Sequence, residues 1–287
     1  MYNVKLNALY RLPWEDQDIV TADLSLSNKG TDSLPIPDLT GYFELDGAVK
    51  VDAKLVRTDK VIGLSPDQSA SLQIMGKIPY TNTFKTVRLV LQEKKENPDK
   101  TIDLLEFSHS SELMAIPYIG KGEKYTTRSI GRLAAYMPKA VNTYKGDSAD
   151  VYSVSLQIEN LEKRYADVTK LTALLKAPDG SVFPAAIAEI KSKIGPKSKA
   201  LLNIWSTIPK DYPTDAMRLI IGESVADNKL AGKEAKVDGY VNAVEYWLPS
   251  EDAGVKQDLN KVAIFPYTFT LGKINTWLDR EGVKLIF

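Results

Sequence analysis

The chain has no cysteine, a single histidine and no net charge. Without cysteine there is no disulfide, no thiolate metal site and no cysteine nucleophile. The 37 basic and 37 acidic residues cancel, so the strong positive field that non-specific nucleic-acid binding needs is missing, and nucleic acid is not an expected partner. No run of about 18 apolar residues occurs, so the sequence predicts no membrane span within this chain. The first residues, MYNVKLNALY, are not a basic segment followed by an apolar run. They show no export signal, which leaves a cytosolic protein or a mature or excised piece of something longer. Two motifs are also missing: the D-x-[DN]-x-[DN]-G calcium loop and the G-x-S-x-G nucleophile elbow. Gly120-Lys121-Gly122 lacks the strand–loop–helix setting of a phosphate site. The expectation is therefore no cofactor, no metal and no catalytic residue.

What is present is repetition. Ala22–Asn28 reads ADLSLSN and Val154–Asn160 reads VSLQIEN. Val87–Glu93 (VRLVLQE) returns as Met217–Glu223 (MRLIIGE), and Ile78-Pro79 returns as Ile208-Pro209. Leu171–Leu175 matches Leu39–Phe43, Asp179-Gly180 matches Asp46-Gly47, Pro196 stands for Pro66, and Leu202 and Ile204 stand for Leu72 and Ile74. Within each copy apolar and polar residues alternate. Ala22, Leu24 and Leu26 oppose Asp23, Ser25 and Ser27, the period of a half-buried strand. Asp-Gly and Pro turns recur every 8–12 residues or so, as in a sandwich of antiparallel sheets. The length of 287 residues suits two such modules.

The fold expected is all-β: tandem immunoglobulin-like antiparallel β-sandwiches with a strand-containing linker. The first module is placed at 1–117 and the second, with its linker, at 118–266. A partial third repeat or capping hairpin takes 267–287. Asp103–Glu112 and Asn242–Glu251 read as matching connecting segments, and Tyr136 and Trp277 are placed as equivalents of Tyr10. Core positions are Leu24, Leu26, Leu72, Ile74, Leu89 and Leu91, with partners Leu156, Ile158, Leu202, Ile204, Leu219 and Ile221.

Candidate sites are few. His109 lies in SHSSE beside serines, but a nucleophile is not normally adjacent in sequence to its base, so a linker residue is expected. The aspartates mostly occupy turn positions, where short carboxylates bond the local backbone. Pro13–Asp18 and Gly146–Asp150 are equivalent loops with the oxygens for a weak calcium site, against a reading as solvated loops. Leu202 and Ile204 point inward, so Trp205 points outward, where it either stacks on a sugar or partner or is covered by Asn242–Glu251. Trp14, near the first loop, is the second candidate ligand-binding ring.

The strand ending in Asn (LSLSN, LQIEN), the following strand with Asp-Gly, the Pro turn before SLQI or LLNI, and the Ile-Pro before the last strand cover most of both copies. This pattern resembles a family of immunoglobulin-like modules found in exported proteins and lipoproteins of mainly Gram-positive bacteria. The resemblance implies no catalytic residue and an extracellular or cell-envelope location, with the cytoplasm as the alternative. Its expected partner is an envelope protein or a cell-wall polymer. The expected role is non-enzymatic binding, docking or spacing. The alternatives are a carbohydrate-binding module using Trp205 and Trp14, and an envelope hydrolase.

Overall fold

The computed structural model describes residues 1–96, 99–109, 113–127, 129–190 and 192–250, and within the last segment 262–264, 267–269, 275–279 and 282–286. Every regular element among them is a strand. The chain divides into two compact units, 1–250 and 251–287.

The first sandwich has seven main strands: β1 (Tyr2–Trp14), β2 (Gln17–Asn28), β3 (Leu39–Leu45), β4 (Val49–Arg57), β5 (Ser69–Pro79), β6 (Val87–Glu96) and β7 (Asp99–His109). The pairing order is β1-β2-β5-β4-β3-β6-β7. Strand β4 belongs to both sheets: Val49–Ala53 pairs with β3 and Lys54–Arg57 with β5. The result is one sheet of β1, β2, β5 and β4 facing another of β4, β3, β6 and β7, which is the immunoglobulin arrangement.

The second sandwich repeats this plan with β8 (Ala134–Tyr144), β9 (Ala149–Asn160), β10 (Leu171–Lys176), β11 (Val182–Ile187), β12 (Lys199–Pro209), β13 (Arg218–Ala226) and β14 (Gly239–Trp247). Strand β11 again divides, pairing with β10 up to Ala185 and with β12 through Ala186 and Ile187. Both segments read as connectors are in fact sandwich strands. Asp103–His109 lies in β7, Asn242–Trp247 lies in β14, and residues 110–112 and 251 lie outside those described. The segment between the sandwiches supplies two short strands. Tyr118–Ile119 runs parallel to β14, and Tyr125–Thr126 runs antiparallel to β8.

Alternation does what it should. In β2 Ala22, Leu24 and Leu26, and in β9 Val154, Leu156 and Ile158, are at most 2% exposed. All twelve expected core residues are buried. By its residues the opening strand of the second sandwich is expected at Ser129–Pro138 (SIGRLAAYMP), but the structure starts it later. It begins at Ala134 after a turn closed by the Arg132 N–H on the Ser129 carbonyl. Tyr136 pairs with Ile158 and Tyr10 with Thr21. Since Leu24 and Leu156 are equivalent, Tyr136 corresponds to Val4 and Tyr10 to Asn142. A shared aromatic in a poorly patterned strand was a weaker guide than register.

The repeated asparagines have a structural cause. Asn28 is fully buried, its Nδ2 donating to the carbonyls of Asp32 and Leu64 while Oδ1 accepts from the Gly30 N–H. Asn160 does the same with Arg164, Ile194 and Glu162. Each fastens the loop after its strand to the turn before β5 or β12. Those turns are also alike. Pro66 and Pro196 precede Asp67 (φ 59°) and Lys197 (φ 57°), closed by Gln68 on Ser65 and Ser198 on Gly195. Proline followed by a positive φ is the type II turn pattern.

The C-terminal unit contains two antiparallel hairpins: β15 (Val262–Ile264) with β16 (Tyr267–Phe269), and β17 (Asn275–Asp279) with β18 (Gly282–Ile286). Trp277 lies on β17 opposite Lys284. Arg280 and Glu281, which read as a turn in the sequence, lie outside the described residues.

Candidate binding face

The two sandwiches meet through unlike surfaces. The outer face of β1, β2, β5 and β4 contributes Leu12, Ile19, Val56 and Met75. The second sandwich answers with Leu174, Ile220, Val225, Tyr240 and Val241 from the outer side of its opposite sheet. Register explains how a strand serves two interiors. Leu219 and Ile221 point into the second sandwich while Ile220 between them points to the junction. The Tyr240 hydroxyl donates to the Pro13 carbonyl at 2.9 Å, and burial raises its pKa, so the phenol stays protonated.

A buried polar chain crosses the same junction. Gln73 Nε2 donates to Asp23, Gln73 Oε1 accepts from the Asn242 N–H at 2.8 Å, and Asn242 Nδ2 donates to Glu223 at 2.6 Å. Glu223 in turn pairs with Arg132. Burial pushes the Asp23 carboxyl up to about 6, only partly offset by the Gln73 bond. A cleft of about 610 Å³ lies here, its walls including Tyr10, Asp23, Gln73, Tyr125, Thr127 and Asn242. Asp23 is the one carboxyl among the described residues that line it. By alternation Asp23 reads as an ordinary polar residue on the outer face of its strand. Its sole signal was a charge where the second copy has Ser155.

Trp14 lies at the junction. Its partly buried ring is 5.9 Å from Tyr240, with Lys77 Nζ 5.5 Å from its centroid. Trp205 is elsewhere, 39% exposed on the outer face of β12. The two rings therefore do not share a site. Nor does Asn242–Trp247 cover Trp205, because β14 is in the other sheet of the sandwich.

Register fixes what surrounds Trp205. It pairs with Ser153, which pairs with Asn142. The neighbouring rows are Thr207–Val151–Tyr144, Asn203–Ser155–Ala140 and Leu201–Gln157–Met137. Paired residues in an antiparallel sheet share a face, and so do residues two apart. These twelve side chains therefore form one surface. Tyr144 and Leu201 are 60% and 57% exposed. The Ser155 hydroxyl donates to Asn203 Oδ1 at 3.3 Å.

This is the face that the first sandwich uses at the junction. Ile19 pairs with Leu12 and Lys77, and Val151 pairs with Tyr144 and Thr207. Trp205 accordingly stands where Met75 stands, Tyr144 where Leu12 stands, and Asn203 where Gln73 stands. Met75, Leu12 and Gln73 are buried by the second sandwich. Their equivalents are open.

The other free sheet face, on β3, β6 and β7, is closed by charge. Arg88 bridges Glu44 at 2.8 Å and Glu106 at 3.1 Å, and Lys50 Nζ sits 4.4 Å from the centroid of Tyr42.

The two loops weighed for calcium are fastened internally. Asp18 pairs with Arg11 at 2.5 Å. Asp150 is fully buried and accepts from Lys145 at 2.8 Å and from the backbone of Gly146 and Asp211, bonds that lower its pKa. No group of three or more potential metal-ligating His, Cys, Asp or Glu residues occurs among the described residues. His109 ends β7 opposite Val87, away from the residues that line the junction cleft. No described helix is long and apolar enough to cross a membrane.

No protein-family model matches the chain, and no curated protein matches it. Among solved structures it is similar to an uncharacterised β-sandwich protein from Clostridium difficile. The two are 13% identical over 47% of this chain and 96% of that one, with a TM-score of 0.33.

Proposed function

We propose that this chain is a non-enzymatic extracellular or cell-envelope module whose two joined sandwiches act in binding, docking or spacing. The observation that carries the reading is the asymmetry between equivalent faces. One is sealed by the neighbouring sandwich, and its counterpart around Trp205 is left open with aromatic side chains exposed. A contiguous exposed patch with aromatic and apolar side chains marks an interaction surface, where a single exposed residue does not. The envelope location rests on the sequence resemblance to exported Gram-positive modules, with which the absence of cysteine agrees.

Co-sedimentation with purified Gram-positive sacculi, wild type beside Trp205→Ala, tests this. Retention of the wild type that the substitution abolishes supports docking through this face. A wild type that stays in the supernatant at every sacculus concentration overturns the wall-docking reading.

A further inference from the structure

We infer that the outer face of β8, β9 and β12 is a platform for an uncharged polysaccharide. The inference rests on the docking reading above and names the ligand class for its surface. Its first support is composition. Of the twelve side chains in the four rows around Trp205, none is charged, although 26% of the chain is, so about three would be expected. The charges come at the margins: the Lys199–Glu159 row at one end, and Lys139 at the bulge of β8.

The second support is the kind of polar group present. Asn142, Asn203 and Gln157 each carry a donor and an acceptor, and Ser153, Ser155 and Thr207 carry hydroxyls that serve as either. Sugar hydroxyls also donate and accept, so this set matches them without a charge to desolvate. Trp205 and Tyr144 supply flat apolar surface for the C–H faces of sugar rings. With two strand spacings between them and a two-residue offset, they stand about 12 Å apart, so a linear chain lying across the strands meets both.

The third support is the contrast with the equivalent face that does accept protein. There the positions of Tyr144, Val151 and Trp205 are Leu12, Ile19 and Met75, aliphatic and sealed, with Asp23 and Lys77 among them. At these lattice points Leu12 and Met75 are replaced by Tyr144 and Trp205, and Asp23 and Lys77 by Ser155 and Thr207, while Ile19 stays aliphatic as Val151.

The test is a pull-down of the full chain on three uncharged polysaccharides, cellulose, chitin and starch, at low and high salt. Retention on at least one is expected, unchanged by salt because no ion pair is involved. Trp205→Ala and Asn203→Ala should each weaken it about tenfold. Trp205→Phe should restore most of it, and Tyr80→Ala, an exposed aromatic of the first sandwich, should leave it intact. Unchanged thermal unfolding of Trp205→Ala separates loss of binding from loss of fold. Retention on intact sacculi but on none of the three polymers overturns the uncharged-glycan assignment and leaves docking to a charged wall polymer or a wall protein. Retention that Trp205→Ala does not weaken overturns it too. Failure on sacculi and polymers alike removes the docking reading with it.

Discussion

At the scale of single residues, the buried asparagines and leucines carry the most definite expectations. Asn160 satisfies loop carbonyls that are otherwise shut away from water. Asn160→Ala should cost about 2–4 kcal/mol in urea unfolding, since the orphaned carbonyls lose their donors. Leu156 is fully buried in the second core. Leu156→Asp should cost about 4 kcal/mol or more, read as a lowered midpoint in urea unfolding, because it buries an unpaired charge. Asp23 gives a pH dependence. Its folded pKa of about 6 lies above the ordinary 3.8, so the folded state binds its proton more tightly than the unfolded chain does. The resulting stabilisation is fully present below about pH 4 and is lost as pH rises through 6, amounting to about 3 kcal/mol. Denaturation at both ends of that window should show the difference in wild type and not in Asp23→Asn. An equal difference in both proteins would refute the assignment. None of this was visible for Asp23 in the sequence, because the second-sandwich residues that share its cleft, Tyr125, Thr127 and Asn242, lie about 100 residues or more away.

At the scale of elements, most strands were legible and their equivalences were less so. Period-two alternation identified β2 and β9, and the core followed directly from it. The Asp-Gly pairs were found as turns, yet they are built differently. Asp46 and Gly47 both take positive φ (49° and 68°), and the Ala48 N–H closes on the Leu45 carbonyl, as in a type I′ turn. In the second copy only Gly180 (φ 90°) is positive, and its N–H closes on Ala177. A dipeptide reports that the chain turns, but the backbone it adopts depends on the residues on either side. Gly47→Ala should cost about 1 kcal/mol in thermal denaturation, through strain at its positive φ alone, since open space surrounds its Cβ position. The misplaced start of β8 has a similar origin. Residues 129–133 are apolar enough to read as strand, but a hydrogen-bonded turn takes them.

At the scale of the whole 1–250 unit, the junction decides behaviour. Sequence counted two modules but could not show that they share a third apolar cluster, because Ile220 and Leu174 carry no mark that distinguishes an outward-facing aliphatic from a core one. Tyr240 fills that junction, and Tyr240→Ala should cost about 3–5 kcal/mol. Calorimetry should then resolve two transitions where the wild type shows one; a single transition in both would mean the sandwiches are coupled by something else. The short parallel pairing of Tyr118–Ile119 with Glu245–Tyr246, joined by the Glu245 N–H on the Pro117 carbonyl at 2.8 Å, has a further consequence. The chain enters the second sandwich along one of these strands and leaves along the other, both pointing the same way. A pull between entry and exit therefore drags the two strands past each other and loads their hydrogen bonds together in shear, instead of peeling them apart one by one. A tether under tension would meet a shear clamp there.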